Sequence, residues 1–356
     1  MNLFKSTLKE ISQPNMLIME ETQGIWDGFL KPMGALGSLE DISVKISGMT
    51  GQVRNKIDKK AIVVMAGDNG VVEEGVSAVP ANFTVLLAAS MLKGITGLSA
   101  LGKFAKSDII TVDIGLFEDI EDERIINKKI SYGTKNFTKG PAMTYEEAIR
   151  AIEVGIEVGD KLHKEGYDIL GTGELGIGNT TTAAAVLSGL TGLDVDITCG
   201  KGAGLTEEQY AGKKATIVRG INLNKPNKDD PIDVIAKLGG FDIAGMCGLY
   251  LSAAKNKKPI VIDGFISSAA ALCAVRIEPL AINYMIASHL SDEPGAKYLM
   301  KELGLKPMLH MGMRLGEGTG CPLAFGIIEA ALYTLDNMGT YEEGSMSSET
   351  LIDIRE

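Results

Sequence analysis

Five short apolar runs, separated by segments with helical periodicity, restrict the possible folds of this chain most strongly. The runs are Ala61–Gly67, Asp108–Ile114, Tyr167–Gly173, Asp194–Gly200 and Pro259–Gly264, and most end in small or acidic residues. Strands buried on both faces have this composition, which is typical of a parallel sheet. Strands that alternate with helices indicate an α/β fold with a doubly wound, mostly parallel, Rossmann-like sheet. Ligands of such sheets bind beyond the carboxyl ends of the strands.

The segments between the runs carry helix signals. In the clearest one, Thr144 and Glu147 have the spacing of a capping box, and isoleucines at helical spacing follow. Residues 1–57 also have helical periodicity, on both sides of the glycine-rich element Lys31–Glu40. The tail from Gly344 onward is polar, so we expect it to be loosely ordered.

Composition excludes several classes of protein. The net charge of −11 argues against a nucleic-acid groove, which requires clustered lysine and arginine. The N-terminus has no apolar signal core, and no uninterrupted apolar run reaches the ~18 residues of a membrane span. The four cysteines are widely spaced and form no C-x-x-C pair, and three of them lie in apolar or small-residue surroundings typical of reduced core thiols. We therefore expect a cytoplasmic protein that binds neither nucleic acid nor membrane.

The segment Gly171–Gly176, GTGELG, follows one predicted strand and precedes a predicted helix. This is the G-x-G-x-x-G pattern of dinucleotide-binding loops, and Asp196 lies at the distance of the usual ribose-binding acid. One hypothesis is therefore an NAD-dependent oxidoreductase. The alternative is a strand-to-helix turn that needs glycines and binds no dinucleotide. Glu174 favours the alternative, because a carboxylate inside a phosphate loop repels pyrophosphate.

A second glycine-rich loop, Cys199–Leu205, follows the fourth apolar run. Its glycines could direct backbone N–H groups at an anion, and Lys201 and Lys213 could add positive charge. The alternative is an ordinary tight loop with solvated lysines. The three glycines are Gly200, Gly202 and Gly204.

Glu317 lies between two glycines in the segment Met313–Gly326, ahead of an apolar helical run. Small neighbours leave a ligand free to approach the carboxylate, and burial by a bound aromatic would raise its pKa and improve it as a base. Alternatively, Glu317 only stabilises the helix N-terminus.

The three histidines, His163, His289 and His310, are far apart and have no metal-ligand spacing. We therefore predict no metal site. His310 is near Glu317 in sequence, so it could orient a site group or be an ordinary core histidine.

Seven segments, in order along essentially the whole chain, resemble the nicotinate-nucleotide:dimethylbenzimidazole phosphoribosyltransferase family of the cobalamin pathway. Each segment alone is weak evidence for the family, but all seven in this order are highly specific to it. The segments are Lys31–Glu40, Ala66–Pro80, Gly173–Ala185, Gly239–Met246, Val261–Leu272, Ser288–Ala296 and Met313–Gly320.

The resemblance implies a large α/β catalytic domain, residues 58–324, and a small helical domain from both chain ends. The small domain would comprise residues 1–57 and a C-terminal helix, about 325–356. A dimer is implied, either of identical chains or with a paralogue. The family needs no metal and no dinucleotide cofactor, which argues against NAD.

The resemblance also implies the reaction. Ribose 5-phosphate moves from nicotinate mononucleotide to an aromatic acceptor, with Glu317 as general base and Glu174 assisting from the facing loop. The implied phosphate and ribose contacts are Gly200, Lys201, Gly202, Gly204, Lys213, Ser291, Gly176, Asn179 and Thr180. The implied acceptor pocket comprises Val79, Leu87, Met313 and Leu315.

The acceptor itself stays open. Val79, Leu87 and Ala35 stand where benzimidazole enzymes usually carry polar residues, and an unpaired buried polar atom costs about 1–3 kcal/mol. The apolar substitutions resemble the branch that activates phenol and p-cresol, in which two paralogues form a heterodimer. One chain of such a pair can be a non-catalytic partner. Since this chain keeps both Glu174 and Glu317, we expect it to be active.

Overall fold

The computed structural model describes residues 3–347 and 353–355, and in this part of the chain six parallel strands form one sheet with helices on both sides. The strand order is β3-β2-β1-β4-β5-β6. This confirms the predicted doubly wound α/β fold. The strands are β1 (Lys60–Gly67), β2 (Asp108–Gly115), β3 (Ile126–Asn127), β4 (Ile169–Leu175), β5 (Ile260–Ile262) and β6 (Met285–Ala287).

The helices precede, separate and follow these strands, and two short 3₁₀ turns lie at Gly70–Glu74 and Pro279–Tyr284. In chain order the helices are α1 (Leu3–Glu10), α2 (Met16–Asp27), α3 (Ser38–Thr50), α4 (Phe83–Leu92), α5 (Gly97–Phe104), α6 (Tyr145–Lys164), α7 (Asn179–Thr191), α8 (Val195–Thr198), α9 (Glu207–Asn224), α10 (Pro231–Leu238), α11 (Phe241–Lys255), α12 (Phe265–Ile277), α13 (Ala296–Leu303) and α14 (Gly320–Asn337).

Four of the five predicted strands are confirmed, and the fifth, Asp194–Gly200, is wrong. Its centre is the short helix α8. The Asp194 side chain accepts a hydrogen bond from the backbone N–H of Asp196 (2.9 Å) and caps this turn. Such local side-chain bonds compete with strand pairing, which explains the error. The loop Cys199–Leu205 therefore follows a helix rather than a strand.

The capping box at the start of α6 is confirmed, since Thr144 and Glu147 exchange side-chain-to-backbone hydrogen bonds of 3.1 and 2.7 Å. Further along, α6 crosses α11 with the two backbones almost touching. A Cβ atom at Gly155 would lie only 1.9 Å from the carbonyl oxygen of Gly245. This crossing therefore requires glycine, and it fixes α11 against the sheet.

The helices near the chain ends pack in two ways. Helix α1 packs on α6 and α11, whereas α3 packs against α2 and α14. Trp26, Phe29 and Leu335 form a second, smaller core cluster, in which the Trp26 indole N–H donates to Ser43 Oγ (2.7 Å). The proposed division into residues 1–57 with 325–356 and residues 58–324 stays a prediction.

The C-terminal helix begins earlier than expected and ends at Asn337. It is followed by an antiparallel bridge between Thr340 and Phe29 and by a turn. Residues 348–352 and 356, like residues 1 and 2, lie outside the described part of the chain, and so do six of the thirteen residues of the tail predicted to be loosely ordered.

The segment Phe83–Phe104 has the length and apolar composition of a membrane span. The structure divides it into α4 and α5, of ten and eight residues, joined by a turn with Gly94 in the left-handed region (φ +75°). Neither helix alone reaches the ~20 residues that a span requires.

Acidic residues collect where the sheet changes winding direction. From β1 the sheet continues through β2 to β3 at one edge, and from β4 it continues through β5 to β6 at the other edge. The strand order therefore reverses between β1 and β4, and a crevice lies beyond the carboxyl ends of these two strands. Asp68 follows β1, Glu174 is the penultimate residue of β4, and Asp263 follows β5. All three carboxyl groups are buried.

Candidate active site

A cavity of about 290 Å³ opens at this carboxyl edge of the sheet, and it brings together ten of the predicted site residues. The remaining five do not line it. The lining residues among those predicted are Val79, Leu87, Glu174, Gly176, Asn179, Thr180, Gly202, Ser291, Leu315 and Glu317. The five outside the lining are Gly200, Lys201, Gly204, Lys213 and Met313.

Glu317 reaches the cavity from a tight loop in which three consecutive residues have left-handed backbone conformations. The φ angles are +82° at Gly316, +62° at Glu317 and +99° at Gly318. Positive φ is uncommon for a residue other than glycine. The loop turns the Glu317 side chain into the cavity wall, where it is 8% exposed.

The strand glycines of the G-x-G-x-x-G pattern let the Glu317 loop approach β4. A Cβ at Gly173 would lie 2.4 Å from the carbonyl oxygen of Glu317, and one at Gly171 would lie 2.6 Å from Cys321 Cβ. The third glycine, Gly176, packs against the carbonyl oxygen of Gly67. The pattern is therefore explained by packing of the Glu317 loop and of β1.

Asp263 anchors the same loop from the end of β5. Its carboxylate oxygens accept backbone N–H bonds from Gly318 (3.0 Å) and Gly320 (2.6 Å), at the start of α14. Burial raises the pKa of Asp263 to about 7, against the opposing effect of these N–H donors. The geometry of the Glu317 loop therefore depends on a residue more than fifty positions away.

Glu174 and Glu317 are adjacent, and the backbone N–H of Glu317 donates to Glu174 Oε1 (3.3 Å). Burial, and next the nearby carboxylates of Asp242 and Asp263, raise the pKa of Glu174 to about 8. Burial also raises the pKa of Glu317, while the N–H of Leu98 opposes the rise. The pair thus combines Glu174, whose carboxyl group is largely neutral at pH 7, with Glu317, whose pKa is also raised by burial.

Asn179, the first residue of α7, holds Glu174 in place. Its amide Nδ2 donates to Glu174 Oε2 and, at 3.2 Å, to Asp242 Oδ2. Burial raises the pKa of Asp242 to about 7. One amide therefore bridges two buried acids.

The predicted phosphate loop borders the cavity, with Gly202 in its lining. Lys213 is buried behind it, and its ammonium donates to Thr180 Oγ1 (2.8 Å) and to the carbonyl oxygen of Gly200 (3.0 Å). Gly202 and Gly204 have positive φ angles of +55° and +107°. Lys201 points outward, is 46% exposed in its side chain and pairs with Glu207. Of the two predicted lysines, Lys213 is thus the one held at this loop, although it does not itself line the cavity.

The other wall is apolar. Val79, Phe83 and Leu87 line it from α4 and the segment before it, and Leu315 lines it from the Glu317 loop. Leu315 is 60% exposed and lies at the mouth. Met313 does not line the cavity, and its carbonyl oxygen accepts from the N–H of Asp292 (2.9 Å). A flat aromatic ring fits the chemistry of this wall.

Four ionisable residues at the site, Asp242, Asp263, His289 and Glu293, were among those that the sequence analysis did not predict as site residues. Asp263 had a detectable signal, because it ends an apolar strand run, whereas Asp242 and Glu293 bond to Asn179 and Gly202, which are remote in sequence. His289 is buried and lines the cavity, and burial lowers its pKa. His310 is exposed and does not line the cavity, so it is not a core histidine. Among the described residues, no group of three or more His, Cys, Asp and Glu could hold a metal ion.

Comparisons with known proteins agree with this geometry. A family model described as a phosphoribosyltransferase matches residues 11–346. A nicotinate-nucleotide–dimethylbenzimidazole phosphoribosyltransferase of Clostridium tetani is 54% identical over 357 residues, 100% of this chain and 99% of the relative. Its namesake in Acetivibrio thermocellus is 49% identical, covering 95% of this chain and 96% of the relative. The crystal structure of CobT from Thermus thermophilus has a TM-score of 0.89 and 35% identity, covering 93% of this chain and 99% of that one.

Proposed function

The chain belongs to the nicotinate-nucleotide–dimethylbenzimidazole phosphoribosyltransferase family, and from this membership we propose a specific reaction for it. Ribose 5-phosphate is transferred from nicotinate mononucleotide to an aromatic lower-ligand base of a cobamide, and nicotinate is released. The observation that carries the proposal is the Glu174–Glu317 pair, which faces a cavity with one apolar wall and one glycine-rich loop.

We propose that the two ends of the cavity bind different parts of the substrates. The phosphate lies at the loop Gly200–Gly204, with Lys213 supplying positive charge and Ser291 a hydroxyl group. The acceptor ring lies on the apolar wall formed by Val79 and Leu87. Holding both partners in one cavity supplies the alignment that a bimolecular step lacks in solution.

The bond changes balance as follows. The bond between C1′ and the pyridinium nitrogen of nicotinate breaks, and its electron pair leaves with that nitrogen. The lone pair of the acceptor forms the new bond at the opposite face of C1′, which gives an α-ribotide. Glu317 accepts the proton that the acceptor loses, and the pKa raised by burial makes it a stronger base than an exposed glutamate. Glu174 then faces the positive charge that develops, which favours its ionised form.

The direct test is the substitution Glu317→Gln, with nicotinate release as the assay. We expect turnover to fall on the order of 10²- to 10⁴-fold, the usual contribution of a general base. Glu302→Gln is the matched control, because Glu302 lies on α13 and pairs with Arg276 at the surface. Full turnover in Glu317→Gln would overturn the role of Glu317 as the base.

The two alternative functions give different results. If the chain is a non-catalytic partner subunit, the unsubstituted protein releases no nicotinate. An NAD-dependent oxidoreductase would be stabilised against heat by NAD, whereas the proposed enzyme is stabilised by nicotinate mononucleotide. Because the strand glycines pack against the Glu317 loop, we expect only the mononucleotide to raise the melting temperature.

A phenol is the second candidate acceptor, favoured by the apolar side chains of Val79 and Leu87 in the cavity wall. Benzimidazole has a second ring nitrogen that would need a hydrogen-bond partner there, whereas a phenol has no ring nitrogen. Single-turnover competition between p-cresol and 5,6-dimethylbenzimidazole decides between them. The variant Leu87→Gln introduces a polar group at this position, and we expect it to shift the acceptor preference from p-cresol toward 5,6-dimethylbenzimidazole. Failure of phenols with the wild-type protein would exclude the second candidate.

We also propose that the chain works as a dimer in the cytoplasm, either with itself or with a paralogue. Exposed apolar side chains lie near the cavity mouth, namely Phe83, Leu86 and Leu315. An apolar rim of this kind is typical of an interaction surface. Light scattering of the purified chain, alone and with a co-expressed paralogue, measures the assembly state.

A further inference from the structure

The carboxylate of Glu293 lies inside the loop that we propose binds phosphate. Glu293 follows β6 and is 8% exposed. Its Oε1 accepts the backbone N–H of Gly202 (3.1 Å), while Oε2 is buried without a hydrogen-bond partner among the described residues. A Cβ at Gly200 would lie 1.9 Å from Oε2, so a glycine is needed at that position for the carboxylate to enter.

The surroundings of Glu293 resemble those of a bound anion. The ammonium of Lys213 lies beneath the same loop, bonded to Thr180 and to the carbonyl oxygen of Gly200. Thr180, Gly202 and Glu293 all line the cavity. Burial raises the pKa of Glu293, and Lys213 and the Gly202 N–H oppose this rise. The other titratable groups that act on it are Cys199, Tyr210, Asp292 and Arg314.

We propose that Glu293 occupies the place of the substrate phosphate when no substrate is bound. In that state its carboxylate holds the loop Gly200–Gly204 in the anion-binding conformation, and it releases the Gly202 N–H when the phosphate binds. The proposal rests on the proposed function, which places the phosphate at this loop. A carboxylate and a phosphate compete for the same donor, and two anions repel each other in a partly buried site. Glu293 therefore keeps the loop ordered between turnovers, limits the affinity for phosphorylated ligands and favours release of the ribotide.

The variant Glu293→Gln separates charge from shape, because the amide oxygen of Gln can still accept the Gly202 N–H. We expect the dissociation constant of nicotinate mononucleotide, measured by calorimetry at pH 8, to fall on the order of tenfold. Nicotinate riboside, which lacks the phosphate, is expected to bind the variant and the wild type equally. If Glu293 had only a structural role, Glu293→Gln would not bind nicotinate mononucleotide more tightly than the wild type does.

The variant Glu293→Ala removes both the charge and the brace, so we expect a smaller gain in affinity for the mononucleotide than in Glu293→Gln. At pH 5 the difference between Glu293→Gln and the wild type narrows, because the wild-type carboxyl group gains a proton as the pH falls toward its raised pKa. Equal or weaker binding of the mononucleotide by Glu293→Gln at pH 8 overturns the proposal.

A crystal structure of the wild-type protein with nicotinate mononucleotide provides a test that does not depend on the folding of a variant. We expect the Gly202 N–H to face a phosphate oxygen and the Glu293 carboxylate to have left it. Retention of the Glu293–Gly202 bond in that complex contradicts the proposal. If the wild-type protein binds no mononucleotide at all, the proposed function fails first, and the two failures are thereby distinguished.

Discussion

The anchor at Asp263 gives the sharpest test of how the site is built. In Asp263→Asn, one carboxylate oxygen becomes an amide NH₂ group, so the N–H of Gly318 or Gly320 loses its acceptor. A buried donor without an acceptor costs about 1–3 kcal/mol. We therefore expect the free energy of unfolding to fall by about that amount at pH 5, where the wild-type carboxyl group is largely neutral.

The pH dependence of this loss has a definite sign. The pKa of Asp263 is raised to about 7 in the folded protein, above its value in the unfolded chain. The wild-type protein therefore loses stability as the pH rises through about 7, because a buried carboxyl group is forced to ionise. The amide of the variant does not ionise, so the difference in unfolding free energy between the wild type and the variant is expected to shrink from pH 5 to pH 9.

The effect on catalysis follows from the position of Glu317. Release of the Gly318 and Gly320 backbones lets the loop shift, and a misplacement of about 1 Å at a reacting group can lower the rate on the order of 10²-fold. We expect kcat to fall by that order while KM for nicotinate mononucleotide changes little, because Asp263 does not line the cavity. Urea unfolding and nicotinate release measure the two effects separately.

The matched control is Asp160→Asn, on α6. Asp160 accepts hydrogen bonds of 2.7 Å from Ser252, Lys255 and Asn256 and does not line the cavity. This variant is expected to lose stability and keep kcat. Normal kcat in a destabilised Asp263→Asn protein would refute the anchoring role.

Acid–base chemistry and helix packing give three further tests. On the acid side, kcat/KM is expected to rise with pH with a midpoint above that of an ordinary glutamate, because burial raises the pKa of Glu317; a midpoint of about 4, the ordinary glutamate value, would contradict this. Glu174→Gln is expected to raise the melting temperature more at pH 9 than at pH 5, since the Glu174 pKa of about 8 lies above its unfolded value and ionisation destabilises the fold. Gly155→Ala is expected to lower the free energy of unfolding by about 1–3 kcal/mol, as overpacking does, because the new Cβ collides with the Gly245 carbonyl oxygen; urea denaturation measures it.

Local patterns predicted four of the six strands in the described part of the chain, missed β3 and β6, and wrongly predicted a strand at the fourth run. Strands such as β1 and β4 are buried along their whole length, so their apolar composition alone identifies them. The run Asp194–Gly200 has a similar composition, yet Asp194 caps a helical turn there. The sequence contains no indication of which of these two hydrogen-bonding arrangements has the lower free energy.

The site was predictable to the extent that its residues lie on distinctive loops. The flanking glycines made Glu317 conspicuous, and their own positive φ angles, +82° at Gly316 and +99° at Gly318, show why glycine is needed at both positions. Asp263 could be located at the end of a predicted strand, but its partners, like the Gly202 N–H that Glu293 accepts, are remote in sequence, so neither role could be predicted from spacing. The glycines of Gly171–Gly176 are different, because their pattern was evident in the sequence but its cause was not. The folded structure shows that these glycines allow close packing, which the sequence pattern alone did not distinguish from dinucleotide binding.

The core cluster around Trp26 has an optical consequence. Trp26 is the only tryptophan in the sequence, it is fully buried, and it lies edge-on to Phe29 at 5.3 Å. Excitation at long ultraviolet wavelengths therefore reads out a single indole that is not part of the cavity lining. Its emission is expected to be blue-shifted in the folded protein and to move to longer wavelength when the chain-end helices loosen. A ligand that binds without disturbing these helices is expected to leave the emission unchanged.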